Sequence, residues 1–150
     1  MIYVELQNAS TSSALPSEQQ FSHWAIAATH RENAEIVIRV VDEEESADLN
    51  GQFRGKTGPT NVLSFPFLAP PGIATDILGD LLICAPVVER EASEQGKSLQ
   101  AHWAHMVVHG VLHLQGYDHV DENEAVIMES EEIAILNELG FPNPYQETDS

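Results

Sequence analysis

Three histidines, His109, His113 and His119, carry the spacing in this 150-residue chain most suited to chemistry. Residues four apart on a helix project from one face, so His109 and His113 can offer nitrogens to one ion at the ~2.0–2.1 Å of a Zn–N bond. Gly116 ends such a helix by adopting the left-handed conformation, and the chain then returns His119 as a third ligand. Three protein ligands leave the fourth tetrahedral position to water, as in catalytic rather than structural zinc sites. One zinc ion per chain is therefore expected. A lone histidine on an amphipathic helix is ordinarily a hydrogen-bonded core or surface residue, but three with the glycine between them form a metal pattern. His102 and His105 project from nearly the same face without a turn to bring round another partner, and read as supporting or packing residues. His23 and His30 carry no pattern.

The spacing H-x-x-x-H-x-x-G-x-x-H matches the metzincin peptidases except at position 110, where glycine replaces the glutamate that takes a proton from the metal-bound water. A peptidase would lack its general base. Hydrolysis here must rely on the metal, which can lower the water pKa to about 7, or on a carboxylate from elsewhere, with Asp80 and Asp118 the candidates. A phosphodiester suits such a site, because its transition state needs charge neutralisation by metal and arginine together. Arg54 could supply that arginine. Its fork can hold two phosphate oxygens, and Gly51, Gly55 and Gly58 would let backbone approach a polyanion. The plain alternative is an arginine in a solvated turn. Lys56 is a weaker case of the same reading, as a substrate-binding residue. Asn61 and Ser64 could hydrogen-bond such a polyanion or satisfy strand ends.

Charge works against nucleic-acid binding at first sight, since 24 acids against 6 bases give a formal net charge of −18. A polyanion is repelled at long range. The distribution is uneven, however: Asp118 to Ser150 holds ten acids and no lysine or arginine, whereas Arg54 and Lys56 sit in Gly51–Asp76 with no acid before Asp76. Screening over ~8 Å at physiological salt can isolate a local positive patch. The single cysteine, Cys84, lies in the apolar run Leu81–Ala85 and reads as a core residue in a reducing compartment. No run approaches the ~18 apolar residues of a membrane helix, and Met1–Gln7 lacks a signal-peptide pattern, so a cytoplasmic protein is expected.

The elements that must position these residues follow from periodicity. Ile2–Leu6 alternates as a half-buried strand, and Ser17 opens a helix over Glu18–His30 with apolar Phe21, Trp24, Ala25 and Ala28. Glu35–Val41 is a β-branched, central strand. Asp42 and Glu45 form a capping-box pattern for a short helix ending near Asn50-Gly51, and Gly51–Pro59 reads as an exposed loop. Asn61–Phe67 and Gly79–Cys84 are strands. Pro86 begins a helix to Gly96, Leu99–Leu114 is a long helix stopped by Gly116, and Asp121 with Glu124 caps a last helix ending at Gly140. With strands early, helices late and no dividing linker, the expectation is one α+β domain over residues 1–150, a small mixed β-sheet packed against about five helices. The zinc site falls on the C-terminal-half helix and the following turn.

These residues resemble a known family. His109-Gly110-x-Leu112-His113-Leu114-x-Gly116-Tyr117-Asp118-His119, together with Phe53-Arg54-Gly55-Lys56-x-x-Pro59-Thr60-Asn61-Val62-Leu63-Ser64-Phe65-Pro66, is similar to the YbeY family of bacterial rRNA maturation factors. Leu78-Gly79-Asp80 and Ala101–Met106 extend the resemblance over most of the chain. It implies a zinc-dependent single-strand endoribonuclease in 16S rRNA 3′-end maturation and ribosome quality control. Carried over by position, it assigns the zinc ligands to His109, His113 and His119 and an important arginine to Arg54. Ribosomal RNA, a small-subunit ribosomal protein and the Era GTPase are the partners it implies. The competing reading is a non-catalytic ribosome-assembly factor whose zinc staples the helix to the turn, its acidic helix Asp121–Leu139 facing a basic protein.

Overall fold

The computed structural model describes residues 1–118 and 120–145. Among the described residues nine elements run in the order β1 (Ile2–Asn8), α1 (Glu18–Ala28), β2 (Ala34–Val41), α2 (Glu43–Arg54), β3 (Val62–Pro66), β4 (Ile77–Cys84), α3 (Ala85–Glu94), α4 (Leu99–Leu114) and α5 (Glu122–Glu138). The sheet order is β1-β2-β4-β3, with β1, β2 and β4 parallel and β3 antiparallel at the edge beside β4. The α+β class, the mixed sheet, the five helices and the interior place of β2 all agree with the sequence reading.

One face of the sheet carries the main core. Ile36, Ile38 and Val40 of β2 and Leu81 and Ile83 of β4 are buried there against α1 and α4. Helix α4 is buried almost all round, apolar on most of its surface and carrying histidines along one side, so it runs through the core rather than lying on a surface. Ser98 caps it by accepting the Ala101 N–H at 3.1 Å. Its approach to the sheet is close at Gly110, where a Cβ would stand 2.7 Å from Leu81 Cδ2 and 3.3 Å from Val62 Cγ2. Position 110 therefore faces the sheet, and the peptidase glutamate would be driven into the core. A smaller core, Val41, Leu63, Leu82, Cys84 and Val87, fills the opposite sheet face with Leu49 and Phe65 packed against it. Cys84 is buried in it, and burial raises its thiol pKa.

Three local expectations are corrected. Helix α2 continues to Arg54, so Gly51–Arg54 is helical rather than loop. One interior glycine costs only about 1 kcal/mol, and the true stop is Gly55, at φ +64, whose N–H bonds Gly51 O. Buried Ser46 and Asn50 hold the following loop to the helix: the Ser46 hydroxyl donates to Thr60 O and accepts the Thr60 N–H, and Asn50 Nδ2 donates to Gly58 O. Asp42 is the N-cap but forms no capping box, because its carboxylate accepts from Ser10 and Thr11 while Glu45 binds Arg39. Helix α1 stops at Ala28, where Thr29 turns extended.

Candidate metal centre and groove

Helix α4 presents His102, His105, His109 and His113 along one side, and their surroundings differ. His102 Nε2 lies 3.0 Å from Glu91 of α3, and the same carboxylate accepts from Asn61 Nδ2 at 3.2 Å. Burial lowers the His102 pKa, against the opposing pull of Glu91. His105 Nε2 lies 2.9 Å from Glu132 Oε2, and His109 Nδ1 lies 2.5 Å from Glu132 Oε1. Beyond them the Nε2 atoms of His109 and His113 stand 3.1 Å apart. His119 lies outside the described residues.

Zinc fits the His109–His113 pair. Two nitrogens at ~2.0–2.1 Å from a tetrahedral ion are about 3.3–3.4 Å apart, close to the 3.1 Å observed. The helix ends just beyond, where Gly116 has φ +99 and its N–H bonds His113 O. Past that turn the Tyr117 N–H bonds back to Leu112 O of α4 at 3.1 Å.

Both histidines line a groove of about 700 Å³ whose other walls include Phe53, Arg54, Asn61, Ser64, Phe65 and Asp118. Arg54, from the last turn of α2, and the histidines, from α4, thus meet across β3. Lys56 is exposed and is not among the lining residues. Of the two carboxylates considered as bases, Asp118 lines the groove, whereas Asp80 opens on two other depressions. Asn61 and Ser64 satisfy local structure: Asn61 Oδ1 accepts the Val62 N–H at 2.7 Å, and Ser64 Oγ lies 3.4 Å from Gly110 O. Phe53 is 63 % exposed at the groove rim and meets Phe65 edge-on at 5.2 Å.

Glu132 is the residue that sequence reasoning missed. It is fully buried on α5, and Tyr145 donates its hydroxyl to Oε2. Burial alone would raise its pKa, but the hydrogen bonds from His105 and His109 prevail and lower it to about 2. Desolvation of its hydroxyl, and the neighbouring carboxylate, push the Tyr145 pKa up although the residue as a whole is 43 % exposed. The signal in the sequence was an acid inside the apolar stripe Met128, Ile135 and Leu136. His105, His109 and Glu132 also offer ligand atoms within 4.8 Å of one another and so form a second possible metal cluster.

Comparison with known proteins places these features in a family. The family model described as Endoribonuclease YbeY matches residues 5–140. A protein named Endoribonuclease YbeY from Methylococcus capsulatus (strain ATCC 33009 / NCIMB 11132 / Bath) is 67 % identical over 147 residues, covering 98 % of this chain and 97 % of that protein. The solution structure of TM1509 from Thermotoga maritima superposes with a TM-score of 0.54 at 25 % identity, covering 97 % of this chain and 99 % of that one. With matches of this extent, and the His109–His113 and Phe53–Pro66 segments meeting at one groove, the chain belongs to the YbeY family.

Proposed function

We propose that the chain is a zinc-dependent endoribonuclease that cleaves single-stranded RNA, with 16S rRNA 3′-end maturation and ribosome quality control as its setting. The observation that carries this reading is the meeting of the His109–His113 nitrogen pair and Arg54 in one groove. The names of the relatives support the nuclease part of it. His109, His113 and His119 are the ligands of one zinc ion per chain. Zinc, when bound, supplies a Lewis acid and a water of lowered pKa.

The remaining work falls to the chain's own side chains. Arg54 holds phosphate oxygens through its planar fork and offsets the charge that builds on them during cleavage. Phe53 and Phe65 give an aromatic wall on which an unpaired base can stack, which a duplex cannot offer. Asp118 is the carboxylate placed to accept a proton within the groove. Lys56, outside the groove wall, takes the flanking backbone. The −18 charge then acts as a background that discourages RNA from binding elsewhere.

A second reading, the non-catalytic assembly factor, draws on α5, where Val126 and Ile127 are exposed among acids. Such a face suits a basic small-subunit ribosomal protein, and by family resemblance the Era GTPase is a further partner. Among the described residues no helix is long and apolar enough to cross a membrane. A cytoplasmic site of action is part of the proposal. The test is end-group analysis of RNA fragments made by highly purified wild-type and His113→Ala protein. The nuclease reading requires cleavage by the wild type alone, and equal fragments from both proteins would refute it.

A further inference from the structure

We infer that Glu132 is the positioning residue of the metal centre: its buried carboxylate fixes His109 with Nδ1 protonated, so that the Nε2 lone pair faces His113. This rests on the zinc reading above.

The geometry leaves Glu132 little other part. Its Oε1 lies 2.5 Å from His109 Nδ1, so that nitrogen must carry the proton, and the opposite nitrogen of the same ring stands 3.1 Å from His113 Nε2. Oε2 is taken by His105 Nε2 at 2.9 Å and by the Tyr145 hydroxyl. Glu132 itself is 0 % exposed. A buried carboxylate persists only with partners, and here three donors converge on it from α4 and from the segment after α5. Its height along α5 is set by Met128 one turn before and Leu136 one turn after, both in the core. The imidazole orientation is therefore tied to core packing rather than to a loop.

The same distances argue against Glu132 as a ligand of a metal shared with His105 and His109. Ligand atoms on a tetrahedral zinc are about 3.3 Å apart or more, so an ion at Glu132 would have to part hydrogen bonds of 2.5 and 2.9 Å, whereas the His109–His113 pair at 3.1 Å need scarcely move. Carboxylates that hold a metal-bound imidazole by its other nitrogen raise its basicity and fix its tautomer, and losing one typically lowers metal affinity 10- to 100-fold.

Two measurements test this. Zinc affinity is measured by competition with a chelating dye for wild type, Glu132→Gln and His109→Ala, with circular dichroism to confirm that each metal-free variant is folded. Glutamine keeps the shape and one acceptor but loses the charge, so Glu132→Gln should stay folded and bind zinc roughly 10- to 100-fold more weakly. Separately, ¹⁵N-edited imidazole spectra of metal-free wild type should show His109 protonated at Nδ1, a reading that needs no variant. A folded Glu132→Gln with wild-type zinc affinity, or His109 protonated at Nε2 alone, overturns the assignment. Undiminished zinc binding by His109→Ala would instead overturn the zinc site, and this proposal with it.

Discussion

Replacing Arg54 separates a catalytic groove from a decorated surface. Arg54 is exposed in the last turn of α2 and enters no ion pair among the described residues, so its loss should cost the fold little. Its favourable interaction with the helix C-terminus is worth ~0.3–1 kcal/mol. In a domain of this size that lowers the melting temperature by about 1–4 °C. The effect on cleavage should be far larger. Removing one preorganised donor from a developing oxyanion costs roughly 10²- to 10³-fold in rate, or about 2.7–4 kcal/mol. Arg54→Ala should therefore cleave a single-stranded RNA at least about 10²-fold more slowly under single-turnover conditions, with zinc content unchanged. Arg54→Lys keeps the charge without the fork and should recover part of the rate. Wild-type cleavage by a zinc-loaded Arg54→Ala protein would show that the side chain is merely solvated and that the groove is not the RNA path.

Gly79, at φ +147, has room for no side chain, since a Cβ would lie 2.4 Å from Phe65 O and 2.8 Å from Leu114 Cδ2. Gly79→Ala should cost strain of ~1–3 kcal/mol plus a similar overpacking penalty, while Gly72→Ala, at φ +82 in open space, should cost the strain alone; equal losses in denaturant titrations would refute the packing argument. For His102 the native pKa is depressed by burial, so the unfolded chain takes up the proton first as pH falls. Its contribution to stability is full above about pH 6.5 and declines as pH drops towards the native value, and metal-free His102→Gln should show a shallower loss between pH 7 and 5.5 than wild type. Identical slopes would contradict it. Zinc at 100 times its dissociation constant adds about 2.7 kcal/mol, so chelation should lower the melting temperature by roughly 5–11 °C, and no change would exclude a link between metal and fold.

The elements were legible wherever periodicity and caps agreed, as in β2, α4 and the glycine turn at Gly116. They were misread where tertiary contacts decided. Gly51 looks like a helix stop, yet Ser46 and Asn50, buried beneath the following loop, carry α2 one turn further and so place Arg54 on a helix end. Asp42 and Glu45 look like a capping box until Ser10 and Arg39, distant in sequence or on another element, claim their carboxylates. The meeting of His109 and His113 was legible because their spacing is local to one helix. Glu132 was not, because its partners lie 23 and 27 residues away and only its place in an apolar stripe marks it. Gly110 was read for the base it lacks, whereas the structure supplies the reason: a Cβ there would stand 2.7 Å from Leu81 Cδ2, so a larger side chain must displace the buried Leu81.

Zinc content per chain, measured on purified wild type and on the single variants His105→Ala, His109→Ala, His113→Ala and His119→Ala, decides between the two possible metal clusters. A site on His109, His113 and His119 predicts about one zinc in wild type and in His105→Ala, and severe loss in the other three. Zinc lost from His105→Ala and His109→Ala but retained by His113→Ala and His119→Ala would place the ion at Glu132 instead and contradict the proposed centre.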